Sequence, residues 1–216
     1  MAITIEVLLL SLAIPFLCCG ISANFYIKPT TPDTPCPADF CLTLSEYASW
    51  VVHHNYRSNI TMQLISGYHI LERNYTVGGM NRFYMLGDTT SNSTTSVCRR
   101  SIGFSFSAIR DLQIQRLTFS QCGRRQDNSY RFDWYALFID AVQNVEIVNS
   151  TFQDSFGSAL GTHASTLHLT GSIIFRNNGI TCVKYLKCTS EGGGIFMFYA
   201  TLYFSGTLIF LHKIVD

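Results

Sequence analysis

The segments LHLTGSIIF (residues 167–175) and LYFSGTLIF (residues 202–210) align position by position without a gap. Each begins with apolar residues in alternation, carries a glycine in its centre and ends in phenylalanine. Apolar alternation with a period of two is typical of a β-strand, and glycine beside serine or threonine is typical of a turn. The repeated pattern therefore predicts strand–turn–strand units, and it decides the fold.

Two earlier copies of the pattern are LQIQRLTF (residues 112–119) and VEIVNSTF (residues 145–152). The four copies begin at intervals of 22 to 35 residues, which is typical of stacked solenoid coils. Residues 62–88 alternate less regularly and are a candidate for an earlier coil. We therefore predict an all-β, parallel solenoid of about five coils.

The run GGGIFMFYATLYFSGTLIFLHK (residues 192–213) contains the last copy and has no charged side chain before Lys213. A transmembrane helix needs ~20 predominantly apolar residues. This run is diluted by glycine, serine and threonine at the turn positions of the previous copy. We therefore expect a coil here, and a membrane span is the alternative.

The N-terminal segment, residues 1–23, resembles a secretory signal: an apolar stretch is followed by small residues up to Ala23. An uncleaved membrane anchor is the alternative, because the usual positive charge is missing and Glu6 stands in its place. Residues 24–56 form a lead-in with cysteine and proline, followed by a helix that we expect to cap the solenoid, with Thr43 or Ser45 as N-cap. Residues 57–216 form the repeats.

Glycosylation triplets support a secreted or extracellular cell-surface location. The acceptor asparagines are Asn59, Asn74, Asn92 and Asn149.

Six cysteines remain after the signal is removed, an even number that favours disulfides in an oxidising compartment. Cys36 and Cys41, and likewise Cys182 and Cys188, are near enough to close short loops, which would leave Cys98 and Cys122 to each other. The sequence alone cannot choose among the possible pairings. None of the spacings is typical of a metal site, so we predict neither a metal nor a cofactor.

The segments GSAL (157–160), FRNN (175–178) and GGGI (192–195) resemble the GGAI and FxxN signatures of polymorphic outer-membrane-protein repeats. The order of segments over about residues 33–213 resembles secreted, pectin-lyase-like proteins of marine invertebrates. This resemblance implies a right-handed parallel β-helix. In the last copy FLHK stands where FxxN is expected, and no polar capping coil follows. We therefore expect either that the sequence is truncated at its C-terminus and the open coil pairs with missing sequence, or that the open coil pairs with another chain.

No catalytic constellation of pectin-lyase-like hydrolases or lyases is present, since the NTD, DD and GHG strings of polygalacturonases are absent. Asp140 and Asp154 would approach each other only if their coils stack, and we interpret them as solvated turn acids. A net charge of +1 gives no reason to expect a nucleic-acid partner. A noncatalytic protein is therefore favoured, and a polysaccharide lyase or glycoside hydrolase is the alternative.

Two insertions suggest a binding surface. The intervals from Phe119 to Val145 and from Phe175 to Leu202 are 11 and 12 residues longer than the interval from Phe152 to Leu167. Both would leave the solenoid at the same corner, two coils apart, which is about 10 Å. Insertions on one face of a solenoid are often where it binds its ligand.

The insertions are rich in basic and aromatic side chains, and seven arginines stand against two acids between Arg99 and Arg131. Guanidinium groups bind sulfate and carboxylate, and aromatic rings stack on sugars. We therefore expect a noncatalytic structural, adhesion or glycan-binding role, with an extracellular glycan or matrix component as partner. A membrane-anchored surface protein is a second alternative. The candidate ligand-binding residues are Arg124, Arg125, Arg131, Trp134, Tyr135, Lys184 and Lys187.

Overall fold

A computed structural model describes residues 22–30, 36, 41–48, 59–70, 75–89, 95–98, 103–122, 135–155, 157–179 and 193–211. Of these residues, 63% are in β-strands and 4% are helical, the latter at residues 44–48. The strands are β1 (Ser22–Ile27), β2 (Asn59–Leu64), β3 (Gly67–His69), β4 (Tyr75–Gly78), β5 (Arg82–Gly87), β6 (Thr95–Val97), β7 (Phe104–Ser107), β8 (Asp111–Gln115), β9 (Thr118–Ser120), β10 (Leu137–Asp140), β11 (Asn144–Val148), β12 (Thr151–Gln153), β13 (Leu160–His163), β14 (Thr166–Arg176), β15 (Ile195–Phe198) and β16 (Thr201–Leu211).

The strands form a parallel β-solenoid of about four turns, which confirms the predicted fold class. The first face stacks β1, β2, β5, β8, β11 and the first half of β14. The second stacks β3, β6, β9, β12 and the second half of β14. The third stacks β4, β7, β10, β13 and β15, and β16 covers both halves of β14. Each face is a parallel sheet, and the interior between them is the core.

The alternation in the repeats is an inside–outside alternation. On the first face Leu112, Val145 and Leu167 lie in register and are at most 2% exposed, as are Ile114, Ile147 and Leu169 in the next inward column. The terminal phenylalanines form a column on the second face. Phe119, Phe152, Phe175 and Phe210 stack with ring centroids 5.0 to 5.2 Å apart and nearly parallel planes. The positions that repeat in the sequence are therefore those whose side chains pack on the equivalent side chain of the next coil.

Three corners turn the chain, and each uses residues with positive φ. Between the first and second faces these are Gly67, Arg116, Asn149, Gly171 and Gly206. Between the second and third they are Cys98, Gln121, Asp154, Asn177 and Gly179, and between the third and first Gly79, Ala108, Ala141, Ala164 and Tyr199. A residue with positive φ bends the chain sharply, so its recurrence at the same corners keeps successive coils in register.

The N-terminal end of the solenoid is covered by the helix, as predicted. Thr43 is the N-cap: its backbone N–H donates to Glu46 Oε2 at 2.7 Å, and Glu46 N–H donates to Thr43 Oγ1 at 3.3 Å. This reciprocal capping box satisfies donors that a helix start leaves free. Leu44 and Tyr47 are buried in the core, and the Tyr47 ring lies 4.9 Å from that of Phe25 on β1. The helix thus closes the core at this end.

The strand β1 begins at Ser22, inside the segment that we predict to be a secretory signal. Its residues pair with β2 from Ser22 opposite Asn59 to Ile27 opposite Leu64. Cleavage after Ala23 would leave Asn24–Ile27 to make this pairing. The signal, its cleavage and the domain boundaries stay predictions.

Two disulfides join cysteines that the sequence analysis considered as pairs. Cys36 pairs with Cys41 in the lead-in, and Cys98 pairs with Cys122. Cys98 directly follows β6 and Cys122 lies two residues after the end of β9, so their bond ties two neighbouring coils together at one corner. Cys182 and Cys188 lie outside the described residues.

The apolar C-terminal run forms strands. Residues 195–198 are β15 and residues 201–211 are β16, which pairs in register with β14 along its whole length. Within the described residues no helix has the length and apolar character needed to span a bilayer.

Candidate functional site

Both insertions join the solenoid at the corner between the second and third faces, as the spacing predicts. Residues 123–134 connect Cys122 to Tyr135 and the start of β10, and residues 180–192 connect Gly179 to Gly193 and the start of β15. Strands β10 and β15 are the two neighbours of β13 in the third sheet. The insertions therefore flank a single strand. Arg124, Arg125, Arg131, Trp134, Lys184 and Lys187 lie outside the described residues.

A third basic segment joins at the same corner. Residues 99–102, which include Arg99 and Arg100, connect Cys98 to Gly103 just before β7. Together the three connecting segments carry seven lysines and arginines against three acids, a net charge of +4. The sequence reasoning considered Arg99 and Arg100 only as part of a charge count. What marks Arg99 and Arg100 as part of the basic corner is their position just after a strand of the second face.

Two of the seven arginines counted between Arg99 and Arg131 belong elsewhere. Arg110 lies at the corner between the third and first faces, where its Nε is 3.0 Å from Asp111 Oδ2. Arg116 is exposed at the corner between the first and second faces. The structure thus divides a run of charge that is continuous in sequence among three corners, and only one of them carries the insertions.

The outer surface of the third sheet carries an aromatic cluster beside this corner. Tyr135 is only 6% exposed because its ring lies over Gly161, where a Cβ atom would stand 2.7 Å from the ring. The ring packs between Phe138 and Phe196, with centroids 5.5 and 6.0 Å away. Of the candidate ligand-binding residues, Tyr135 is the one that the structure describes. Its ring packs against the exposed ring of Phe196, and it does not itself offer an accessible surface to a ligand.

A second row of outward-facing side chains on the same sheet contains an acid, a histidine and a phenylalanine. Asp140, His163 and Phe198 are in register on β10, β13 and β15. His163 Nδ1 lies 2.6 Å from Asp140 Oδ1, and its ring stacks on Phe198 with centroids 5.5 Å apart. Tyr199, 81% exposed, follows at the edge. This row, together with Phe138, Gly161 and Phe196, is called the third-face platform below.

The sequence analysis did not single out His163, Phe196 or Phe198. The strands that carry them are four residues long and share no common pattern, so nothing in the sequence places the three side chains on one surface. The order of elements could have predicted these strands, because each of them ends just before the start of a repeat copy.

The acids among the described residues are held by individual partners. Asp154 Oδ1 accepts from Asn177 Nδ2 at 3.1 Å, and Asp140 faces His163, so these two carboxyl groups have separate contacts. Glu146 Oε2 accepts from Gln113 Nε2 at 2.8 Å. The hydrogen bond from Asn144, together with Arg110 and Arg82, holds the pKa of Asp111 below its ordinary value although burial opposes this. The described part of the chain contains no cluster of three metal-ligating side chains.

Of the four predicted glycosylation sites, Asn59 and Asn149 are described. Asn59 is half-buried at the start of β2. Asn149 is exposed at a corner, where its Oδ1 accepts from Ser172 N–H at 2.9 Å. Asn74 and Asn92 lie outside the described residues. Modification at all four sites stays a prediction.

The last asparagine of FRNN (residues 175–178) contacts the preceding coil. The Asn178 side chain is buried at the corner that follows Phe175, where its Nδ2 donates to Phe152 C=O at 2.7 Å and its Oδ1 accepts from Ser155 N–H at 3.2 Å. It therefore links two coils. No protein family, curated protein or solved structure matches this chain.

Proposed function

We propose that the protein is a secreted or cell-surface β-solenoid glycoprotein that binds an anionic extracellular glycan without catalysing a reaction. One observation carries the proposal: three basic segments, residues 99–102, 123–134 and 180–192, join the fold at a single corner. A sulfated or carboxylated polymer would be bound there by charge-assisted hydrogen bonds.

The third-face platform extends the proposed site beside that corner. Exposed rings of Phe196 and Phe198 offer apolar faces on which a sugar ring would stack. The side chains of Asp140 and His163 lie beside Phe198 in the same row and offer polar groups to hydroxyls. The basic segments would supply most of the affinity, and the platform would orient the sugar. The predicted glycosylation sites and the resemblance to secreted pectin-lyase-like proteins support the extracellular location.

The proposal is tested by affinity for heparin with two charge-reversed double variants. Arg124→Glu/Arg125→Glu changes the proposed corner. Arg110→Glu/Arg116→Glu changes two exposed arginines at the other two corners, and it has the same net charge. We expect the first variant to elute from a heparin column at clearly lower salt and the second to elute close to the unchanged protein. Equal shifts for both variants would show unspecific charge attraction and would reject the site.

The enzymatic alternative has no observation in its favour, since the described acids contact individual partners. Incubation with uronate polymers tests it directly, because a lyase or hydrolase would release new chain ends. The membrane-anchored alternative predicts that the protein remains in the membrane pellet after alkaline extraction.

A further inference from the structure

The third-face platform differs in charge from the basic corner beside it. In the strands of this sheet that the structure describes, β4, β7, β10, β13 and β15, no outward position carries lysine or arginine, and the acid among them is Asp140. Its side chain is 42% exposed, whereas the basic segments carry a net charge of +4. Phe198 lies three residues after the start of β15, about 10 Å along the strand. The sign of the charge therefore changes over a short distance from the corner.

The polar groups of the platform are hydrogen-bond acceptors. His163 Nδ1 lies 2.6 Å from Asp140 Oδ1. An ionised carboxylate only accepts hydrogen bonds, so Nδ1 carries the proton and donates it to Asp140, and Nε2 of the neutral imidazole keeps its lone pair. Within the described residues neither His163 Nε2 nor Asp140 Oδ2 has a hydrogen-bond partner. The platform thus offers acceptors to hydroxyl and amide N–H groups, and it offers no donor to a sulfate or carboxylate.

The apolar groups of the platform are held in place by their neighbours. Phe196 and Phe198 occupy alternate positions of β15, ~6.6 Å apart along the strand, and are 39% and 51% exposed. The Phe198 ring stacks on His163 with 20° between the ring planes, and the Phe196 ring packs on Tyr135 at 6.0 Å. Because these rings are already ordered, a ligand that packs on them loses little of its binding energy to ordering them.

We propose that the third-face platform binds an uncharged N-acetylated sugar, and that the ligand is a polymer in which uronates alternate with N-acetylhexosamines. The inference rests on the proposed glycan site, whose basic segments would hold the anionic units. The N-acetyl group offers an amide N–H to Asp140 or His163 and a methyl group to Phe198. A polymer with a charge on every unit would place an anion against Asp140, and like charges in contact repel each other.

The first face carries a similar row that supplies matched controls. Glu146, His168 and Tyr203 are in register on β11, β14 and β16. The ring of Tyr203, 55% exposed, stacks on His168 with centroids 4.8 Å apart. The Glu146 carboxylate, however, accepts from Gln113 on the neighbouring strand. This row lies on another sheet, beyond the corner between the third and first faces, so it should not contact a polymer held at the basic corner.

The first test compares two unsulfated polymers in binding to the full chain at one ionic strength. In hyaluronan a uronate alternates with an N-acetylhexosamine, whereas in polygalacturonate every unit carries a carboxylate. We expect Phe198→Ala to weaken hyaluronan binding roughly 10-fold and polygalacturonate binding much less, because only hyaluronan supplies the sugar that packs on this ring. Tyr203→Ala should change neither affinity. Equal losses for both polymers, or for both variants, would reject the proposed role of the platform.

The second test removes the negative charge from the platform. Asp140→Asn keeps the size of the side chain, and Glu146→Gln makes the same change in net charge on the first face. We expect Asp140→Asn to strengthen polygalacturonate binding several-fold and hyaluronan binding by less, because the repulsion acts on a polymer that has an anion at every unit. Glu146→Gln should leave the ratio of the two affinities as it is in the unchanged protein. An equal ratio in both variants would overturn the inference.

Failure of the platform can be distinguished from failure of the glycan site. If the unchanged protein binds neither heparin nor the two unsulfated polymers, the site and the platform are both rejected. If heparin binding depends on Arg124 and Arg125 but Phe198→Ala and Tyr203→Ala have the same effect, the basic corner stands and the platform is rejected alone.

Discussion

The second-face column shows at residue scale why phenylalanine ends each copy of the repeat. Phe119, Phe152 and Phe175 stack with planes 7 to 9° from parallel, so each ring covers the one beneath it. Flat rings in offset stacks fill a repeating gap with few rotamers, and the same residue fits at every level. The column is therefore the part of the core where the sequence repeat is most visible.

Replacement of Phe152 by alanine should be costly, because the ring is fully buried between two others. We expect Phe152→Ala to lower the free energy of unfolding by about 3–5 kcal/mol. Phe198→Ala is the control, since this ring lies 51% exposed on the outer surface and should change stability by well under half as much. Urea unfolding measures both, and similar losses would contradict the column.

His69 occupies the first level of the same column. It pairs in register with Val97, which in turn pairs with Phe119, and it is 1% exposed. His69 Nε2 lies 2.7 Å from Ile65 C=O, to which it donates, whereas Nδ1 has no hydrogen-bond partner among the described residues. Burial lowers the pKa of His69, which the hydrogen bond to Ile65 opposes.

The lowered pKa makes stability depend on pH with a definite sign. Below the ordinary histidine pKa of about 6.5 the unfolded chain binds a proton that the folded chain does not. The contribution of His69 is therefore present above that pH and lost as the pH falls, by at most about 1.4 kcal/mol per pH unit. We expect His69→Leu to reduce the pH dependence of the free energy of unfolding below pH 7, as measured by urea unfolding. His168→Leu, a change at an exposed site, should retain the slope.

At the scale of elements, the sequence predicts the first and second faces well and the third face poorly. Strands β8, β9, β11, β12, β14 and β16 overlap the four repeat copies. Residues 62–88, held as one earlier coil, contain the strands β3 and β4, the end of β2 and all of β5. Residues 95–107 were not recognised as part of a coil, because Val97 stands where later copies have phenylalanine. Long strands with repeated core contacts leave a pattern in the sequence.

The third face leaves no such pattern. Its strands β7, β10, β13 and β15 are four residues long, and the segments before them vary in length. Parallel pairing constrains only two inward positions in each, and alternative apolar residues satisfy them equally. The side chains of the third-face platform could therefore be recognised as neighbours only from the register in which these strands pair. The corner at which the insertions leave could be predicted, because it depends on spacing alone.

The capping helix allows a test at element scale. Replacement of Thr43 by alanine removes the Oγ1 that accepts from Glu46 N–H. We expect a loss of about 0.5–2 kcal/mol in the free energy of unfolding. Thr43→Ser keeps the hydroxyl and should restore most of that stability. An alanine variant as stable as the serine variant would show that the capping box does not hold this end closed.

At the scale of the whole molecule the two ends differ, and the difference has consequences. The N-terminal end is closed by a helix and a bridged strand, whereas the C-terminal end exposes core positions. The insertions join at one corner along the side, and the second of them joins just before β15, in the same coil as β16. The proposed glycan site therefore extends to the end of the solenoid at which core positions are exposed.

All of these inferences depend on the C-terminal run being a coil of the β-solenoid. The most direct measurement is a far-UV circular dichroism spectrum of the chain recovered from culture medium without detergent. The account predicts soluble protein with a β-type spectrum and almost no helical signal. A helical spectrum, or protein that is recovered only with detergent, would contradict the fold and with it the proposed site.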